Sequence, residues 1–178
     1  MATKYTEISN KIKEFILEQK IFFVATAIDN GRVNLSPKGM DSFKVLDKNR
    51  IIWLNMTGSG NETSAHIQKN SRMTMMWTAF EGNPIILRLY GNAKVIHPTD
   101  DNWQKLYSHF KDNIGARQIF DVEIDLVLTS CGMGTPFFEY KGEREQLNDW
   151  AEKKGEQGIK DYWQEKNSID LDGNKINF

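Results

Sequence analysis

The chain has 178 residues, of which 39% are hydrophobic and 26% are charged, and its 23 basic and 24 acidic residues give a net charge of −1. This length and composition are typical of a globular domain with a sizeable core. The nearly neutral net charge argues against a nucleic-acid-binding protein, which carries a surplus of basic residues. No apolar run approaches the roughly 20 residues of a membrane span, and we expect no signal peptide. The single cysteine, Cys131, excludes an internal disulfide, so we expect a cytoplasmic protein without a structural zinc site.

The first third of the chain predicts one helix followed by two β-hairpins. Apolar residues recur at helical spacing between Ile8 and Ile16, and Thr6 is expected to cap this helix. Asn30-Gly31 lies between two apolar runs, which is a strong signal for a hairpin turn. The four predicted strands span residues 21–28, 32–36, 42–46 and 50–56.

The remaining elements predict a mainly β protein with peripheral helices. Gly91 interrupts the longest predicted strand and indicates a bulge, as a curling sheet requires. Further strands are predicted at residues 72–80, 85–96 and 120–128, and helices at 60–70, 100–111, 144–153 and 156–166. Six or seven short strands with few βαβ units favour a barrel with helical additions.

The loop at residues 57–66, TGSGNETSAH, is the most informative local motif. Ser59 and Glu62 have the spacing of a capping box, which predicts a helix that starts between them. A helix N-terminus with small residues exposes N–H groups that bind phosphate, and the hydroxyls of Ser59 and Thr63 add donors. The alternative is a well-capped surface helix without a ligand.

Two cationic residues are further candidates for phosphate binding. Lys38 follows the end of a predicted strand, two residues after Ser36 in NLSPKG, although an exposed turn lysine has the same pattern. Arg88 lies within the apolar run IILRLYG, where its charge requires either a ligand phosphate or a carboxylate of a neighbouring strand or subunit. We identify no catalytic residue and no metal site, because the chain lacks a nucleophile elbow and clustered ligands.

Taken together, these motifs resemble the pyridoxamine 5′-phosphate oxidase-like family of FMN-binding split-barrel proteins. The resemblance covers nearly the whole chain and depends on segments in a fixed order: FFVATA, NLSPKG, RIIWLNMTGSGNETSAHI, AFEGNPIILRLYGNAKVI, SCGMGTPFFEYKGER and WAEKKGEQGIKDYWQEKNS. It implies a six-stranded antiparallel split β-barrel and a homodimer with FMN at the subunit interface. Residues 1–178 would then form one domain, with residues 132–178 as a C-terminal extension that wraps the barrel.

The resemblance also implies which residues bind the cofactor. Lys38 matches the phosphate-binding basic residue of the family, and Leu54 and Asn55 match the segment beneath the phosphate and ring. The segment Asn61–Thr63 occupies the place of a Ser-Arg-Lys run, so two cationic contacts are missing. With the motif-based candidates, the expected cofactor-binding residues are Ser36, Lys38, Leu54, Asn55, Ser59, Asn61, Thr63 and Arg88.

The function implied is an FMN-binding flavoprotein that transfers hydride or electrons between a nicotinamide donor and a small-molecule acceptor. An aromatic side chain such as Trp53 or Trp77 is expected to seat the flavin ring. The chain ends in NKINF instead of the segment with which the oxidases close on substrate, so pyridoxamine phosphate is not the expected substrate. The alternative is a non-catalytic flavin or haem carrier or sensor on the same barrel.

Overall fold

The computed structural model describes residues 2–178, which contain eight strands and four helices. In chain order these are β1 (Thr3–Tyr5), α1 (Asn10–Glu18), β2 (Phe22–Thr26), β3 (Asn34–Lys38), β4 (Phe43–Val45), β5 (Arg50–Met56), α2 (Glu62–Lys69), β6 (Arg72–Thr78), β7 (Ile85–Ile96), α3 (Trp103–Tyr107), β8 (Ala116–Cys131) and α4 (Gln146–Lys166). No helix in the described range is both long and apolar enough to cross a membrane.

The strands form one antiparallel sheet that curls into a split barrel. Its order is β3-β2-β6-β7-β8-β5-β4, and β1 pairs with β8. Phe22 on β2 and Phe43 on β4 lie near opposite ends of this order, yet their ring centroids are 5.3 Å apart. The sheet therefore curls until its two ends share a core, while β3 and β4 stay unpaired with each other. The predicted mainly β split barrel is confirmed, with eight strands instead of six.

The barrel interior is packed with aromatic and aliphatic side chains. Trp53 stacks on Phe120 with centroids 4.8 Å apart, and Trp77 stacks on Phe22 at 5.5 Å. Both tryptophans are only 1% exposed, so neither offers a free face to a flavin ring. The expectation that one of them seats the ring is wrong, because both are needed to fill the core.

Gly91 permits the bend that closes the sheet. The register of β7 against β8 shifts between Tyr90 and Gly91, as expected for a bulge. A Cβ atom at Gly91 would collide with the carbonyl oxygen of Glu123 on β8, so only glycine fits this close approach. The predicted bulge is confirmed.

The helix ends differ from the sequence predictions. Ser9 caps α1, because its Oγ accepts a hydrogen bond from the Ile12 N–H at 3.3 Å, so the prediction of Thr6 as the cap is wrong. The helix predicted at residues 100–111 is limited to the five residues of α3. Gly155, with φ 68°, divides α4 into two segments near the predicted bounds, and this backbone conformation suits glycine.

Candidate functional site

Three polar side chains of β3 point toward the barrel interior. Asn34, Ser36 and Lys38 pair in register with the buried residues Thr26, Val24 and Phe22 of β2, and paired residues share one face of a sheet. At one end of this row the Asn34 amide donates to Thr63 Oγ1 of α2 at 2.9 Å. The first turn of α2 therefore packs against the Asn34 end of this row, and Ser36 and Lys38 follow on the same face of β3.

Lys38 is half-buried in this region. Its Nζ lies 5.2 Å from the centre of the Trp53 ring. Burial, together with the positive charge of Arg117, lowers the pKa of Lys38 to about 8, and the carboxylate of Glu62 partly opposes the shift. No carboxylate lies within 4.0 Å of its ammonium group among residues 2–178, so the charge is available to a ligand.

The N-terminus of α2 is built differently from the predicted capping box. Asn61 is the N-cap and makes no side-chain capping bond. Its Oδ1 instead accepts a hydrogen bond of 2.7 Å from Gln118 Nε2 of β8. The Glu62 side chain turns back over Gly60, and Ser59 is exposed. The predicted Ser59–Glu62 capping box is therefore wrong, because tertiary bonds to β8 fix this helix end.

Arg117 on β8 is a site residue that the sequence analysis missed. It is 2% exposed, and its Nη1 donates to Asn167 Oδ1 at 2.5 Å. Burial lowers its pKa to about 10, opposed by Glu62 and Tyr162. The local sequence GARQIF carries no signal for this role, since the guanidinium is buried by a segment 50 residues further along the chain.

Four buried polar atoms of this region have no hydrogen-bond partner: Ser36 Oγ, Asn61 Nδ2, Arg117 Nε and Gln118 Oε1. Three of them are donors, and leaving a buried donor unpaired costs about 1–3 kcal/mol. Such atoms call for a bound group that satisfies them. Hydroxyl, amide and guanidinium donors beside a lysine suit the phosphate of a flavin nucleotide, so the residues present fit that group.

The other predicted cofactor-binding residues have separate surroundings. Asn55 is buried and pairs with Gln118 across β5 and β8. The side chain of Leu54 points to the opposite face of β5, in a second core cluster with Leu106 of α3. The structure thus brings Asn55 to the site and places the Leu54 side chain elsewhere.

Arg88 lies on the outer face of β7. Its neighbours Leu87 and Leu89 are in the barrel core, and its Nη1 donates to Ser130 Oγ at 3.3 Å. It forms no ion pair within 4.0 Å in the described part of the chain. Arg88 is therefore separate from the Lys38 site of the same chain.

An open groove of about 810 Å³ reaches Lys38 from the protein surface. Ile21 lines one side, and Leu147 and Trp150 of α4 line the other. The lining also includes the half-buried Lys38 and the exposed charged residues Lys20, Glu143 and Arg144. A mainly apolar groove with cations in its lining suits a planar aromatic ligand with an anionic tail. Within residues 2–178, no group of three or more His, Cys, Asp or Glu side chains is arranged to bind a metal.

Comparisons with known proteins agree with this architecture. The sequence pattern of the pyridoxamine 5′-phosphate oxidase family matches residues 8–131. A pyridoxamine 5′-phosphate oxidase family protein of Aspergillus flavus, ustO, is 32% identical over 187 residues, which cover 95% of this chain and 75% of the relative.

Solved structures show the same fold at lower identity. A single-residue variant of HupZ from Group A Streptococcus has a TM-score of 0.56 at 18% identity, covering 69% of this chain and 99% of that chain. A protein of the pyridoxamine 5′-phosphate oxidase type from Lactobacillus delbrueckii also has a TM-score of 0.56, at 19% identity, covering 69% and 94%. The family pattern and the identity to ustO together show that this chain belongs to the pyridoxamine 5′-phosphate oxidase family.

Proposed function

We propose that the protein is an FMN-binding flavoprotein whose phosphate site lies between β3 and the N-terminus of α2. The observation that carries the proposal is the set of unpartnered buried donors beside Lys38, a half-buried cation without a carboxylate partner among the described residues. A dianionic phosphate satisfies both needs at once. Lys38 supplies charge, Ser36 and Asn61 supply hydrogen bonds, and the groove in front of Trp150 receives the ring.

We propose that the activity is oxidoreductase chemistry between a nicotinamide donor and a small-molecule acceptor. The bound flavin would supply the hydride and electron transfer, so the protein needs no acid–base pair of its own. The residues of the chain bind and orient the cofactor, and the apolar walls of the groove exclude water from one side of the ring.

The proposed assembly is a homodimer formed through the outer face of the barrel. This face of β2, β6, β7 and β8 is apolar and only half-buried, with side chains that include Phe23, Met76, Tyr90, Leu126 and Leu128. A partner on this face would cover these side chains. In the proposed homodimer FMN lies at the subunit interface, where Arg88 of one subunit would contact the FMN of the other. The single cysteine also supports the proposal that the protein works in the reducing cytoplasm.

Absorbance and titration of the purified protein test the proposal. We expect saturable FMN binding, followed by NADPH-dependent reduction of the bound flavin, visible as bleaching of its visible band. A protein that binds FMN but is not reduced by NADH or NADPH would be a carrier or sensor. A protein that takes up haem and excludes FMN would refute the proposed cofactor.

A further inference from the structure

The C-terminal segment, residues 167–178, touches the proposed phosphate site through one buried asparagine. Asn167 is 0% exposed and makes bonds in two directions. Its Oδ1 accepts from Arg117 Nη1 at 2.5 Å, and its Nδ2 donates to the carbonyl oxygens of Gly58 and Ser59 at 3.1 and 3.4 Å. One side chain therefore fixes both a buried cation and the loop that leads into α2.

A second contact anchors the same loop from the end of α4. Trp163 Nε1 donates to Thr57 Oγ1 at 2.8 Å, and that hydroxyl donates to the Gly115 carbonyl oxygen at 2.8 Å. Phe178 stacks on Trp163 with ring centroids 5.9 Å apart. The loop before α2 is thus held at two points, Thr57 and the Gly58–Ser59 carbonyls, by the last turns of α4 and the segment after it.

Arg117 has the properties of an anion-binding residue. Its guanidinium is buried without a carboxylate within 4.0 Å in the described residues, and its Nε has no partner. Through Asn167 it is joined to the Gly58 and Ser59 carbonyl oxygens of the loop that leads into α2. An unpaired buried guanidinium is costly, so the arrangement is explained if a bound anion supplies the missing partner. The site would then have two cations, although Glu62 and Thr63 replace the Arg-Lys pair of the family motif.

We infer that Arg117 is the second cation of the phosphate site and that Asn167 is the positioning residue that orients it. The C-terminal segment then contributes to the cofactor site through Asn167. This inference rests on the proposed function, because the anion it assigns is the phosphate of FMN. Because Asn167 holds Arg117, the C-terminal segment affects binding of the phosphate but not binding of the flavin ring.

The test compares FMN with riboflavin, which has the same ring and lacks the phosphate. Asn167→Asp keeps the side-chain size and the acceptor for Arg117, but it replaces the donor to the Gly58 and Ser59 carbonyl oxygens with a negative charge that competes with phosphate for Arg117. Asn177→Asp places the same charge on an exposed residue of the same segment and is the matched control. Dissociation constants are measured by quenching of flavin fluorescence, with thermal unfolding as the check on folding.

We expect Asn167→Asp to reduce the preference for FMN over riboflavin by about tenfold or more, as for a lost charge-assisted contact, while riboflavin affinity and the Asn177→Asp variant stay unchanged. Equal losses for both flavins would indicate a merely structural role and overturn the inference. An unchanged preference would overturn it as well. A wild-type protein that binds no FMN overturns the proposed function first, and the inference with it.

Hydrogen–deuterium exchange on the wild-type protein provides the test if Asn167→Asp does not fold. FMN is expected to slow exchange in residues 163–170 more than riboflavin does, because only the phosphate engages Arg117 and, through it, Asn167. Identical protection by the two ligands would overturn the inference.

Discussion

If FMN binds at the proposed site, the depressed pKa of Lys38 predicts the direction in which its affinity depends on pH. Burial and the charge of Arg117 lower this pKa to about 8, whereas a bound phosphate dianion raises it by stabilising the ammonium form. When Lys38 is neutral in the free protein, its amine therefore takes up a proton as FMN binds. Affinity is expected to be highest near pH 7, where most Lys38 side chains are charged and the phosphate is mostly dianionic, and to fall as the pH rises through 8.

The size of the effect follows from the pKa of the free protein. With a pKa of about 8, roughly ten in eleven Lys38 side chains are charged at pH 7 and roughly one in eleven at pH 9. The affinity for FMN should therefore fall about tenfold between these pH values, which corresponds to about 1.4 kcal/mol. Arg117, with a pKa of about 10, stays mostly charged over this range. The phosphate, with a second pKa of about 6, stays dianionic.

Titration of flavin fluorescence at pH 7, 8 and 9 measures this dependence. Riboflavin is the ligand control, since it lacks the phosphate and should bind equally well at all three values. Lys38→Arg is the protein control, because arginine keeps its charge throughout and should give a flat profile for FMN. A tenfold fall that persists in Lys38→Arg, or that riboflavin shares, would refute the reasoning.

Three other predictions concern the neighbouring charge, the bulge and the outer face. Glu62 raises the pKa of Lys38, so Glu62→Gln should move the midpoint of the FMN profile to lower pH, and an unmoved midpoint would contradict the proximity of the two groups. Gly91→Ala should reduce the free energy of unfolding by about 1–3 kcal/mol through overpacking, whereas Gly134→Ala, which meets no atom within 4 Å, should change little in the same denaturant titration. Tyr90→Glu on the half-buried outer face should convert a dimer into a folded monomer in sedimentation analysis, and an intact dimer would exclude this face as the interface.

Much of the sheet was predictable, because hairpins and bulges have local causes. Asn30-Gly31 and the alternation along β8 indicated strands directly, and Gly91 marked the bulge. Strand β1, Thr3–Tyr5, was missed because its three exposed residues show no alternation of apolar and polar side chains. Its pairing with β8 depends on the tertiary fold. The residue patterns predicted seven strands, and β1 is the eighth. The number six came from the family resemblance.

The site was predictable only where a strand or helix end determines it. Ser36 and Lys38 share one face because alternate residues of a strand do, but their inward orientation comes from the pairing of β3 with β2, which leaves Leu35 64% exposed. Arg117 was not predictable, because its burial depends on Asn167, which lies 50 residues away. The predicted capping box at Ser59 was wrong for a similar reason, since the bond from Gln118 to Asn61 comes from another element.

We propose that this barrel binds FMN through its phosphate, and one titration tests this binding most directly. Purified protein is titrated with FMN and, in parallel, with riboflavin, following fluorescence quenching and the visible absorption bands. We predict saturation at one FMN per subunit with clearly weaker binding of riboflavin. Failure to saturate with excess FMN, or equal affinity for the two flavins, would contradict the phosphate site assigned to Lys38 and the N-terminus of α2.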